Sequence, residues 1–146
     1  MATYDYYKEH QSPSPSPKPG VFWLYAKVDF GKQNLGINDV NKIFQTRDKW
    51  LLLRGFWRCL TASGAAATMD IGTSSGGQEL SAGESNNSAG DWTIMDTLKS
   101  AGEIALTADG YIYLENLTAA VSSGIFEVAI EVYAGPDDAE FDSLAE

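Results

Sequence analysis

Residues 124–133 read Gly-Ile-Phe-Glu-Val-Ala-Ile-Glu-Val-Tyr. Phe126, Val128, Ile130 and Val132 fall on one side of a period-2 pattern, and Glu127 and Glu131 fall on the other. That alternation is what a strand needs to cover a core with one face and meet water with the other. It restricts the chain to folds in which a sheet has one dry face, and the remaining apolar runs are its natural partners.

The length of 146 residues suits one domain with a core of its own. The prolines mark its limits: Pro13, Pro15, Pro17 and Pro19 sit together, Pro136 stands alone, and there is none between Gly20 and Gly135. The expected organisation is an extended Pro-rich N-terminal arm (1–20), a folded body (21–135) and an acidic C-terminal tail (136–146). Alternating proline fixes φ and removes amide donors, so residues 12–19 are expected as extended polyproline II rather than helix or ladder strand. With Tyr4, Tyr6 and Tyr7 at its far end, the arm reads as a docking element. A free arm of 20 residues reaches up to roughly 66 Å at about 3.3 Å per residue.

In the body, residues 21–30 alternate as a strand. Residues 35–44 carry Ile37, Val40 and Phe44 at near-helical spacing and are expected as a loop with at most one helical turn. Residues 50–60 are strongly apolar, interrupted by Arg54, Gly55 and Arg58; Gly55 suggests a bulge that re-aims the side chains after it. Trp and Arg are enriched where interfaces carry their energy. Trp50, Arg54, Trp57 and Arg58 are therefore partner-binding candidates, alongside Tyr4, Tyr6, Tyr7, Pro13, Pro15 and Pro17 of the arm. The alternative is core indoles with Arg stems lying over them. Met69 and Ile71 point inward in the next run, and residues 74–90 form a long polar loop. Around Trp92 and Met95 a turn of helix or an irregular edge is expected. Residues 103–108 and 111–117 alternate around Asp109-Gly110, the signature of a hairpin. Short strands with turns every 8–12 residues and almost no helix predict an all-β antiparallel sandwich or jelly roll.

The chemistry of catalysis is missing. The single histidine, His10, lies in the arm, far in sequence from the single cysteine, Cys59. That leaves no nucleophile–His pairing and no nitrogen or sulfur metal cluster. Cys59 sits in an apolar run and reads as a small buried thiol. Glu127 and Glu131 read as solvated acids on a wet strand face. The glycines at 64, 72, 76 and 77 precede no Lys as a phosphate loop would, and Asp70, Asp91 and Asp96 lack calcium-loop spacing. No enzyme, cofactor or metal is expected. The polar, Tyr-rich N-terminus lacks the apolar stretch of a signal peptide, and no run approaches the roughly 20 residues that cross a bilayer. A soluble protein of a reducing compartment is expected, with no membrane partner.

The formal net charge of −10 is uneven: residues 1–60 carry nine Lys/Arg against five Asp/Glu, and residues 61–146 carry Lys99 alone against fifteen acids. Overall acidity argues against nucleic acid, which needs a basic surface. The asymmetry predicts a molecule oriented on a partner, basic half docked and acidic half toward solvent.

The segments Ala-Thr-Met-Asp-Ile-Gly-Thr (67–73), Glu-Ile-Ala-Leu-Thr-Ala-Asp-Gly-Tyr-Ile (103–112) and Ser-Gly-Ile-Phe-Glu-Val-Ala-Ile-Glu-Val-Tyr (123–133) resemble small head decoration (cement) proteins of tailed bacteriophages. The likeness covers roughly residues 60–133. It implies a β-sandwich, usually trimeric, on the capsid exterior of a virion and made in the host cytoplasm. The implied partners are the major capsid protein, bridged through the arm and basic half, and further copies of the chain. A second expectation, from outward aromatics, is a carbohydrate-binding fibre or tail module using Trp23, Tyr25, Tyr111 and Tyr113 as stacking platforms.

Overall fold

The alternating runs form strands, and the strands divide between two sheets packed face to face. The computed structural model describes residues 2–5 and 20–135. In chain order its elements are β1 (Thr3–Asp5), β2 (Gly20–Asp29), β3 (Val40–Thr46), β4 (Trp50–Thr61), β5 (Thr68–Gly72), β6 (Ser81–Ser85), β7 (Thr93–Ile94), α1 (Asp96–Ala101), β8 (Ile104–Ala105), β9 (Gly110–Leu117) and β10 (Ile125–Ala134). The first sheet has the order β1-β3-β9-β5-β6, and the second β2-β10-β4-β7 with β8 also beside β4. Among the described strands only β1 pairs in parallel, with β3. The fold is an all-β sandwich.

β10 is an inner strand of the second sheet, and Phe126, Val128, Ile130 and Val132 are all buried. It pairs with β2 in unbroken register from Ile125↔Asp29 to Ala134↔Gly20, and with β4 on its other side. Leu24, Ala26 and Val28 of β2 and Leu52 and Cys59 of β4 join the same core as Phe44, Met69, Ile71, Ile112 and Leu114 of the first sheet. Burying a large apolar side chain is worth about 1.5–3 kcal/mol. The four from β10 together thus rival the roughly 5–15 kcal/mol net stability of a whole domain.

Several local expectations are corrected. The expected loop at 35–44 ends at Asp39, and β3 takes its second half. The register of β3 with β9 shifts between Lys42 and Phe44, so Ile43 and Phe44 are both buried; a bulge produced the spacing that imitates a helix. The expected hairpin around Asp109-Gly110 does not form. β8 pairs with β4 in the second sheet, while β9 lies between β3 and β5 in the first. The turn is real but carries the chain from one sheet to the other, with the Asp109 carboxylate accepting the Asp48 amide at 2.9 Å.

The bulges of β4 fall not at Gly55 but at Leu53 and Leu60, where the register with β10 slips. Gly55 is there because Met95 packs on it: a Cβ would lie 2.4 Å from Met95 Sδ. The polar stretch 74–90 contains β6. Its turn is organised by Glu79 Oε1, which accepts the amides and hydroxyls of Thr73 and Ser74. Burial pushes the Glu79 carboxyl up, but these hydrogen bonds outweigh it and hold the group below its ordinary value.

The segment 2–5 is seated on its own chain. Val40 donates its amide to the Ala2 carbonyl at 2.7 Å, the Ala2 amide donates to Asp39 Oδ1 at 2.8 Å, and Tyr4 packs against the core.

Candidate functional site

The outer face of the second sheet collects the exposed aromatics. The register across β2, β10 and β4 sets out four rows: Lys27–Glu127–Arg58, Tyr25–Ala129–Phe56, Trp23–Glu131–Arg54 and Val21–Tyr133–Leu51. In the first three rows the central β10 residue is an acid or alanine, so the side chains on either side meet over it. Val21, Trp23, Tyr25 and Tyr133 here, and Trp92 beside β4, are each 40–57% exposed. They make up most of the large exposed apolar residues of the described chain.

The charges on this face are already matched. Arg58 donates from Nε and Nη2 to Glu127 Oε1 at 2.9 and 2.7 Å, and the Tyr25 hydroxyl donates to Glu127 Oε2. Glu127 is 3% exposed, which corrects its assignment as a solvated acid: it points outward but is roofed by its neighbours. Arg54 Nε donates to Glu131 Oε1 at 3.0 Å. The guanidinium of Arg54 lies 5.4 Å from the Trp23 ring centroid and that of Arg58 4.7 Å from the Trp92 ring centroid. Trp23 in turn leans on Phe56, 6.1 Å between centroids. Stacked and paired, these long side chains have little rotamer freedom left to lose on binding.

The candidates taken from residues 50–58 separate. Trp50 is 3% exposed and meets Phe22 edge-on at 5.2 Å, so it is core. Trp57 stacks on Phe126 at 5.6 Å, on the inner side. Arg54 and Arg58 face outward. The bulge at Leu53 makes this possible: strict alternation would have put Trp50, Leu52, Arg54 and Arg58 on one side. Tyr4 is half-buried on the first sheet, while Tyr6, Tyr7, Pro13, Pro15 and Pro17 lie outside the described residues. Of the four proposed stacking rings, Trp23 and Tyr25 lie on β2 of the second sheet and Tyr111 and Tyr113 on β9 of the first. They cannot form one platform.

Phe56, Trp92, Tyr133, Glu127 and Glu131 belong to this face and were not singled out for binding from the sequence. The signal lay in pairing Glu127 and Glu131 with Arg58 and Arg54, which requires knowing that β10 sits beside β4. The same interleaving corrects the picture of a basic half and an acidic half. β10 from the acidic half lies between β2 and β4 from the basic one, so charge does not divide by face.

Other chemistry is weak. Cys59 is buried, burial pushes its thiol up, and Sγ donates to the carbonyls of Asn86 and Thr61. Asp70 is occupied by Gln78 Nε2 at 2.8 Å and the Gly83 amide at 2.7 Å. Near it, burial first and then other carboxylates push up Glu84 and Glu115. Among the described residues no group of three or more His, Cys, Asp or Glu is placed to hold a metal.

The sequence matches no protein-family model and no curated protein. Its fold does have solved counterparts. A chain of the cyanophage Pam1 capsid asymmetric unit superposes with a TM-score of 0.57 at 14% identity, over 84% of this chain and 90% of that one. A chain of the acidic stable capsid structure of Helicobacter pylori bacteriophage KHP30 gives 0.49 at 9% identity, over 82% and 92%. What this chain shares with the Pam1 capsid chain is its β-sandwich fold.

Proposed function

We propose that this is a non-enzymatic structural protein of a phage virion, a decoration or cement protein that binds the major capsid protein on the capsid exterior. The observation that carries the proposal is the fold shared with a chain of the cyanophage Pam1 capsid over 90% of that chain's length. The counterpart is a chain of similar size rather than one domain of a much larger subunit. The outer face of the second sheet is the docking surface: aromatic, flanked by Arg, with its charges internally paired, which is the composition of an interface centre. Bridging of neighbouring major capsid proteins runs through this face together with the N-terminal arm and its Tyr6, Tyr7 and prolines. Copies associate in threes on the shell.

The test is co-sedimentation with bare capsids. Trp23→Ala and Arg54→Ala should each weaken attachment by about tenfold or more, and light scattering of released protein should give the mass of a trimer. Wild-type attachment by both variants, or absence of the protein from purified particles, would count against the proposal.

A further inference from the structure

One row of the first sheet departs from the pattern of its neighbours. Paired residues on adjacent strands turn their side chains to the same face. The register sets Tyr4, Asn41, Leu114 and Ile71 side by side across β1, β3, β9 and β5. Leu114 and Ile71 belong to the core, and Tyr4 packs against it, so this row faces into the sandwich. Asn41 therefore carries a primary amide into apolar surroundings, and it is 0% exposed.

Neither Oδ1 nor Nδ2 of Asn41 has a hydrogen-bond partner among the described residues. The other buried asparagines differ. Asn116 Nδ2 donates to the carbonyls of Leu35, Gly36 and Ala119, and Asn86 Oδ1 accepts the Ser63 hydroxyl at 3.1 Å. Among the buried asparagines of the described chain, Asn41 alone has both ends of its amide unmatched. A buried amide with nothing to bond to is unfavourable, and the cost ends when the group reaches water.

The way to water runs past β1. That strand is the outermost described strand of its sheet and is three residues long. It pairs in parallel, the slightly weaker of the two arrangements per residue. In the row of Asn41, only Tyr4 stands between the amide and the described edge of the sheet, and Tyr4 is itself half-buried. The bonds that seat the strand come from the residues just before Asn41. Asp39 Oδ1 accepts the Ala2 amide at 2.8 Å, and Val40 donates to the Ala2 carbonyl at 2.7 Å. Two residues of one short stretch thus act in opposite senses. Asp39 fastens β1, and Asn41 makes it unfavourable for β1 to stay. A leucine at 41 would continue the run of Leu114 and Ile71 and would carry no such cost.

We infer that β1 is a strap that leaves β3 and reseats while the rest of the sandwich stays closed, and that the Asn41 amide is what loosens it. Release lets Asn41 bond to water and frees the edge of β3 at Val40, Asn41 and Lys42. The inference stands apart from the virion assignment.

Amide hydrogen exchange by NMR on the full chain tests it. The Val40 amide, bonded to Ala2, reports the seat of β1, and the Val128 amide, on the inner strand β10, reports the body. In the wild type Val40 should be protected at least tenfold less than Val128, as local release requires. Asn41→Leu should then slow exchange at Val40 by about tenfold or more, with Val128 still protected. Asn41→Val, which suits a strand and fills less space, should act in the same direction if leucine proves too large. Equal protection of Val40 and Val128 in the wild type would overturn the inference, because β1 would leave only when the whole fold opens. An unaltered or faster Val40 rate in both folded variants would overturn the role of Asn41. Loss of Val128 protection in both variants would do the same, by showing that the amide supports the fold.

Discussion

Glu127 stands on the outward side of a strand and is nevertheless buried, because Arg58 and Tyr25 close over it from the strands on either side. The pair is asymmetric: the Glu127 side chain is 4% exposed and that of Arg58 29%. Removing Glu127 leaves a guanidinium that can turn to water and still lie on Trp92. Removing Arg58 leaves a carboxylate that cannot escape. Arg58→Ala should therefore cost about 3 kcal/mol and Glu127→Ala less. The double variant should be less damaged than the sum of the two, because the abandoned charge is gone. Urea midpoints of the three variants check this; additive losses would mean that the two side chains do not act as a pair.

Among the elements, β1 is a short strand held by few bonds. Only three residues pair with β3, and Asp39 clamps the entry by accepting the amides of Ala2 and Gly36. Those hydrogen bonds, Ala2 first, hold the Asp39 carboxyl below its ordinary value. A depressed carboxylate adds stability above its unfolded value, and that stability is lost as pH falls through the folded one. β1 should thus stay seated at neutral pH and loosen in acid, below the usual Asp range. Exchange of the Val40 amide, which donates to Ala2, reports the release. Asp39→Ala should accelerate that exchange by roughly tenfold at neutral pH and remove its acid dependence; an unaltered Val40 amide would show that the clamp contributes nothing.

At the scale of the whole molecule, charge and fold are out of step. The basic residues 1–60 and the acidic residues 61–146 interleave within one sheet, and the arginines on its outer face are already paired with β10. Docking through that face should depend weakly on salt, since little unpaired charge is brought to the partner. Docking through a basic half would weaken steeply. Attachment to bare capsids measured across a range of salt separates the two, and a steep decline would count against the outer face as the docking surface.

The amino-acid order alone determined the class of fold and the inward side of the strongest strands. Phe126, Val128, Ile130 and Val132, or Leu24, Ala26 and Val28, declare their buried face by period 2, a property of the local backbone. It also placed the turn at Asp109-Gly110. Pairing depended on residues far apart in the chain and was decided only by the tertiary structure. That is why the turn was legible but its supposed hairpin was wrong, and why the bulges at Ile43 and Leu53 were not: a bulge is defined against a partner strand. The outer face was illegible for the same reason. Glu127 looks like any solvated acid until β10 is seated between Arg58 and Tyr25, and only then does burial force the charge to be matched.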